Sequence, residues 1–503
     1  MTLPDPEQRD GRPRFRHAAR PRARARDVVA AVALVALVAL LGVTLVAPNP
    51  TLAGALGLVV LVVCLVALYQ VTFSGRFAPV AVTFWSFVAV WVGFAPLVQI
   101  RDDIMAWPDL PLHQFYVTAQ VILLTAVATF WIGYGRGAPV RAGPPVRRFR
   151  VTIEQALVAT VVATLLTAAC LPQTGGLAVR FTDRDTLQAA IKQAGLSGGK
   201  DQALVGLLST LPAAVCLVSL VLCLLCLRER NHATPKARLI LLGLTGISAV
   251  LNVIYNNPLT ANRFATFSVM LAATFAFVRF ERQSWRTLFS AGMLGGLAVV
   301  YPLANLFRND KSRSNLRLGL DAYYTYDFDG FQQTVNSVYY VHVHGNTWGH
   351  HLISALLFWV PRSIWDGKAI AAGNVVAASR GYTFQNLSLP FWAEVAVEFS
   401  LAGVVVVFFF YGRIAARLDR ALGDSRISLP MALAVLFAAC QIGLLRGPLG
   451  AQIPLVGAAF VTLVVTVIGW RFRPWGLTRD PDTAAGAGGG PHLGSGISAK
   501  AGA

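Results

Sequence analysis

The run FWAEVAVEFSLAGVVVVFFFY, residues 391–411, decides the fold. It is apolar over the length needed to cross a hydrocarbon core of roughly 30 Å, which takes about 20 helical residues. Yet Glu394 and Glu398 lie near its start, and a polar stretch from Phe307 to Pro390 runs straight into it. Outward from this run, comparable apolar segments recur at 28–47, 52–71, 79–99, 115–134, 153–171, 203–227, 239–256, 264–280, 287–306, 430–446 and 454–470. The reading is all-α: a polytopic integral membrane protein with about 12 transmembrane helices and a large extracytoplasmic loop containing amphipathic or interfacial helices.

Composition excludes a soluble globular chain. Of 503 residues, 55% are hydrophobic and 13% charged, with a mean hydropathy of +0.58. Soluble domains carry about 25% charged residues. Charge tests the span count independently, because with a cytoplasmic N-terminus every second loop should be rich in Lys and Arg. The tail 1–27 holds eight arginines, and 135–150 holds Arg136, Arg141, Arg147, Arg148 and Arg150 without an acid. The series continues with Arg228, Arg230, Lys236 and Arg238, then Arg279, Arg282 and Arg286, then Arg413, Arg417, Arg420 and Arg426, then Arg471 and Arg473. The intervening loops are short or mixed in sign, as in 100–114, where Arg101 meets Asp102, Asp103 and Asp109.

The expected organisation is therefore a basic cytoplasmic tail (1–27), nine spans (28–306), an extracytoplasmic loop (307–390), three spans (391–470) and a disordered cytoplasmic tail (471–503), with both termini inside. The first apolar run lacks a small-residue cleavage site and reads as a retained span. The formal net charge of +19 is spread over alternate loops as an anchoring signal, so no nucleic-acid partner is implied. All six cysteines lie in apolar runs, which leaves no extracytoplasmic disulfide framework. No internal repeat and no matched pair of broken helices is visible, which disfavours a transporter.

Chemistry-bearing residues gather on the outer loop and at its borders. Glu394 and Glu398 are four residues apart and share a helix face, and ionisable groups within a span face a cavity and mark function by default. Arg263 opens a span, Arg308, Arg313 and Arg317 follow another, Arg362 sits in Pro361-Arg362-Ser363-Ile364-Trp365, and Arg380 precedes Gly381-Tyr382. Guanidinium forks suit diphosphate oxygens, so an anionic ligand is expected. His342, His344, His350 and His351 fall close together, but no helical H-x-x-x-H and no cysteine accompanies them, and no metal or cofactor is assigned. Asp327 and Asp329 spell D-x-D among Tyr323, Tyr324, Tyr326 and Phe328, aromatics that suit a sugar-stacking or interfacial surface. Phe328–Tyr340 reads as a short amphipathic helix, and His351–Val360 as an interfacial or re-entrant helix stopped by Pro361.

The stretch Asn386-Leu387-Ser388-Leu389-Pro390-Phe391-Trp392-Ala393-Glu394, with Phe399, Gly403 and Tyr411-Gly412-Arg413, resembles the late-span signature of the O-antigen polymerase (Wzy-type) class of oligosaccharide repeat-unit polymerases. The first glycine of that pattern is Ser400 here. Asp327–Phe331, Gly345, Gly349, Pro361–Trp365 and Lys368 also follow the class order, and the resemblance covers roughly residues 255–413. It implies a bacterial cell-membrane, metal-independent glycosyltransferase that acts on polyprenyl-diphosphate-linked oligosaccharide to build a surface or exopolysaccharide. Membrane lipids, a chain-length regulator and a flippase are the partners it implies. Arg362 and Arg263 are then expected at the diphosphate with Arg308, Arg313, Arg317 or Arg380 assisting. Glu394 serves as base or orienting group, His344 and His350 are further base candidates, and Glu398 and Asp327 are expected on the substrate.

Three other readings compete. An O-antigen-ligase-like transferase would use the same donor chemistry. A polyprenyl-phosphate-sugar-dependent glycosyltransferase would place an acidic pair in its first outer loop, and Asp102-Asp103 is the pair available here. A non-enzymatic flippase or exporter would want polar residues along a whole transmembrane path, and most spans here are cleanly apolar.

Overall fold

The computed structural model describes residues 51–107, 112–135, 149–193, 201–229, 235–261, 263–303, 319–384, 387–423 and 427–469. Among them there is no strand, only an isolated bridge between Arg150 and Ser428. The expected span 28–47 and both tails lie outside the described residues.

Among the described residues, ten helices are long and apolar enough to cross a membrane: Leu52–Thr72, Pro79–Asp102, His113–Gly135, Ile153–Cys170, Leu208–Arg228, Pro235–Tyr255, Gln283–Leu303, Phe391–Leu422, Leu429–Arg446 and Leu449–Gly469. Each overlies an apolar run of the sequence. The remaining run, 264–280, forms the helix Arg263–Phe277 of 15 residues, which rises about 22 Å. A hydrocarbon core of roughly 30 Å is thicker than that, so this helix stops short of one face.

Pro79–Asp102 is central, with 94% of its apolar window buried, while Leu449–Gly469 at 22% is peripheral. Its turns widen to a π-helix over Ala89–Phe94. Asp419 fixes its start, accepting from the backbone N–H groups of Val80 (2.8 Å) and Ala81 (3.1 Å) and from the Tyr134 hydroxyl (3.0 Å). A carboxylate at a helix N-terminus satisfies donors that have no partner within the helix. The helices 113–135 and 391–422 meet backbone to backbone: a Cβ on Gly133 would lie 2.1 Å from the Phe409 carbonyl oxygen, and one on Gly412 2.2 Å from that of Phe130.

The run that opened the sequence reading is two helices. Ser400 breaks it with φ 55° and ψ −158°. In one unbroken helix Phe391 and Phe408 would stand about 25 Å apart along the axis, yet their ring centroids are 5.4 Å apart, and Phe391 also lies 6.1 Å from Tyr411. The chain therefore reverses at Ser400. Residues 391–399 form a re-entrant limb that runs to the face reached at Ser400, and 401–422 make the crossing. Glu394 and Glu398, expected near the start of the crossing helix, are both on the re-entrant limb.

The 319–384 segment supplies a second partial helix, Gly330–His344. The sequence predicted a short amphipathic helix there, but every residue from Gly330 to Ser337 is buried. It is inserted among the spans at its start and emerges at its histidine end, where His342 and His344 are exposed. The expected apolar helix at 351–360 is the shorter His350–Leu356.

Candidate functional site: a recessed cluster of charges

Three observations fix the depth of the site. The Trp91 indole N–H donates to the Asp327 carbonyl (2.9 Å), and Trp91 lies about 18 Å from the Pro79 end of a helix about 36 Å long. Gln99, further along the same helix, donates to the carbonyls of Tyr323 (2.7 Å) and Phe328 (2.9 Å). Arg263, which pairs with Asp327, opens a helix of only 15 residues. Irregular backbone at such depth persists only when it is enclosed by protein or lines a watery cavity.

Charges converge on this turn. Asp327 is paired with Arg263 at 2.5 Å and with Arg446 at 3.7 Å. Arg446 also donates to the carbonyls of Tyr326 and Asp327, both at 3.3 Å. The guanidiniums are stacked on aromatic faces, Arg263 over Tyr301 (4.7 Å) and Arg446 over Phe264 (5.1 Å), which holds their forks in orientation. Two residues on, Asp329 is 2% exposed. It accepts from the Trp107 indole (3.0 Å), from Gln333 (3.4 Å) and from the Ser388 hydroxyl. Burial pushes the Asp329 carboxyl above the ordinary carboxylate range, with the Arg446 charge opposing. Asp327 thus sits between two cations, beside a second carboxylate that burial draws toward its neutral form.

Helix N-termini add to the positive field. Gly330–His344 starts directly after Asp329, Arg263 begins its own helix, and the re-entrant limb begins after Pro390, two residues beyond Ser388. Leu449 opens the last helix, and its N–H donates to Glu394 at 2.8 Å. Glu394 is 1% exposed, and its other oxygen has no partner among the described residues. Glu394 therefore anchors the Gly447-Pro448 turn that follows Arg446.

Glu398 does different work at the Ser400 end of the limb. Its two oxygens accept from the N–H groups of Gly349 (2.6 Å) and His351 (3.2 Å), and His351 Nδ1 lies 3.0 Å away. Asn346 donates to the carbonyls of Ala396 and Val397, both at 3.1 Å, and the Ser400 hydroxyl donates to Asn346 (2.8 Å). The 346–351 segment thereby closes the broken helix end. About 22 Å of the Gly330–His344 helix separates this latch from Asp329.

Of the arginines named from sequence, Arg263 reaches the cluster. Arg362 is exposed and donates to the carbonyls of Lys368 and, at 3.1 Å, Ala369. Beside it Lys368 donates to the carbonyls of Leu357, Phe358 and Val360, so the two close a local turn. Arg380 lies over Tyr339 (4.8 Å). Arg308, Arg313 and Arg317 lie outside the described residues. His344 is exposed beside Tyr340, and exposed His350 meets the Gly367 carbonyl at 2.8 Å. Asp102 and Asp103 are engaged elsewhere, by Arg101 and Tyr324 and by His113 respectively. No group of three or more His, Cys, Asp or Glu is placed to hold a metal ion among the described residues.

Sequence reasoning passed over Arg446, Trp107 and the role of Asp329. Arg446 carried one signal: it is an arginine at an outer span end, where the charge rule expects none. Asp329 was visible only as the spelling D-x-D, and Trp107 stood in a short loop with no periodic pattern. The chain matches no family model, no curated protein and no solved structure.

Proposed function

We propose that the chain is a polymerase joining polyprenyl-diphosphate-linked oligosaccharide repeat units at the outer face of a bacterial cytoplasmic membrane, with both termini inside. The observation that carries this reading is the recessed Arg263–Asp327–Arg446 cluster under a large outer loop. A lipid-linked diphosphate enters from the bilayer, and its anion needs fixed cations at headgroup depth or below.

In this reading Arg263 and Arg446 hold the donor diphosphate, and Arg446 takes the place assigned from sequence to Arg362. An acceptor hydroxyl oxygen of the incoming repeat unit attacks the anomeric carbon of the growing chain. The bond from that carbon to the phosphate oxygen breaks, and the lipid diphosphate leaves with the electron pair. The acceptor proton passes to a carboxylate, and Asp329 is the one in the cluster whose environment favours taking it. General-base help of this kind contributes about 10² to 10⁴-fold. The guanidiniums and helix N-termini stabilise the charge growing on the leaving diphosphate without reorganising. Glu394 acts through the turn it anchors.

The test is deletion of the gene in its native host, with analysis of lipid-linked glycan and surface polysaccharide together. Accumulation of single repeat units on the lipid, restored to polymer by the wild-type gene and not by Arg446→Ala, is the expected result. Intact polymer stranded on lipid points instead to a ligase, a shortened repeat unit to a single-sugar transferase, and an unchanged glycan profile overturns the reading.

A further inference from the structure

Four aromatic rings from separate parts of the chain meet beside the charge cluster. Trp107 comes from the segment after Pro79–Asp102, Tyr326 from the turn before Asp327, and Tyr382 and Phe384 from the segment before the re-entrant limb. Around the Trp107 ring, Tyr326 lies at 4.2 Å with 32° between planes, Tyr382 at 5.7 Å with 27°, and Phe384 at 5.9 Å with 10°. Tyr326 and Phe384 are more than half exposed. Apolar rings of this size left facing outward in near-parallel array call for an occupant with flat apolar faces.

Polar groups border the rings. Gln332 brackets Trp107, donating to its carbonyl (3.0 Å) and accepting from its N–H (2.7 Å). Asn336 donates to the Tyr382 hydroxyl at 3.2 Å. The row is continuous with the anion cluster, because the Trp107 indole donates to Asp329 and Arg446 donates to the Tyr326 carbonyl. Rings of a membrane-interface belt sit singly at the perimeter with their polar edges at the headgroups. These rings instead stack on one another, and the central indole N–H is spent inward on a buried carboxyl.

We infer that the Trp107–Tyr326–Tyr382–Phe384 row is a glycan subsite that stacks pyranose rings beside the Arg263–Arg446 cations. The axial C–H faces of a pyranose match aromatic faces, its equatorial hydroxyls match the Tyr382 hydroxyl that borders the row, and rigid aromatics supply contact area at low entropic cost. This inference rests on the proposed function for the identity of the substrate, but its test does not.

The probe is a set of oligosaccharides released by mild acid from the native host's own surface polysaccharide, free of lipid and phosphate. Binding to the full-length protein in nanodiscs is read by saturation-transfer NMR. Wild type should give ring-proton signals, and Tyr326→Ala with Phe384→Ala should weaken affinity at least about tenfold. The conservative pair Tyr326→Phe with Phe384→Tyr, which keeps the rings, should bind like wild type. No signal with wild type, or equal affinity for the double alanine variant, overturns the subsite. Signals that depend on the rings, in a protein whose deletion leaves the glycan profile unchanged, would keep the subsite and remove the polymerase reading.

Discussion

At the scale of single residues, the site depends on how few charges hold one another at depth. Arg446 should be the most sensitive position: Arg446→Ala is expected to lower polymer formation in isolated membranes by about 10²-fold or more, the scale of losing one preorganised donor. Arg446→Lys should recover little of it, because an ammonium cannot reproduce a planar fork stacked on Phe264. Asp329 has a pH signature. Burial raises its folded-state value above the ordinary 3.8, so its contribution to stability is fully present below that value and is lost as pH rises through the folded-state value. Asp329→Asn cannot ionise and should melt higher than wild type at about pH 8, with the margin shrinking toward about pH 4. Thermal unfolding in detergent across that range checks the sign, and a margin that grows on acidification would contradict it.

At the scale of elements, the reversal at Ser400 is the feature most open to test. A φ of 55° with ψ −158° lies in a region that glycine occupies without penalty and other residues occupy at a cost of about 1–3 kcal/mol. Ser400→Gly should be neutral or stabilising by up to about 1 kcal/mol, the gain offset by loss of the hydroxyl bond to Asn346, whereas Ser400→Val should destabilise. A stabilised valine variant would mean that the chain runs straight through. The crossing limb itself depends on the Gly133 and Gly412 contacts, where Gly133→Ala or Gly412→Ala should each cost about 1–3 kcal/mol through forced backbone separation. Heat resistance of the purified protein measures both.

At the scale of the whole molecule, the spans alternate so that 73–78, 149–152 and 278–282 lie at one face and the 319–384 segment at the other. All the described cysteines are buried, so introduced thiols can be read without interference. Ile364→Cys, at a residue 77% exposed, should react with an impermeant maleimide in intact cells. Arg76→Cys, exposed at the opposite face, should react only after permeabilisation. The reverse pattern would invert the topology and remove the proposed function with it.

The sequence by itself determined the all-helical class and the positions of most of the described apolar helices, and its charge pattern predicts their direction. Hydropathy and charge are sums over a local window, and the cost of placing a window in lipid does not depend on its neighbours. What the tertiary structure decided has no such local sum. One residue's backbone angles turned 391–422 into two limbs without changing its composition, so the apolar run read as one span. The pairing of Asp327 with Arg263 and Arg446, the anchoring of Leu449 by Glu394, and the meeting of Trp107 with Phe384 join residues far apart in the chain. Such contacts follow from how partial helices stack at depth, where each buried charge must find a partner that only the assembled bundle brings within reach.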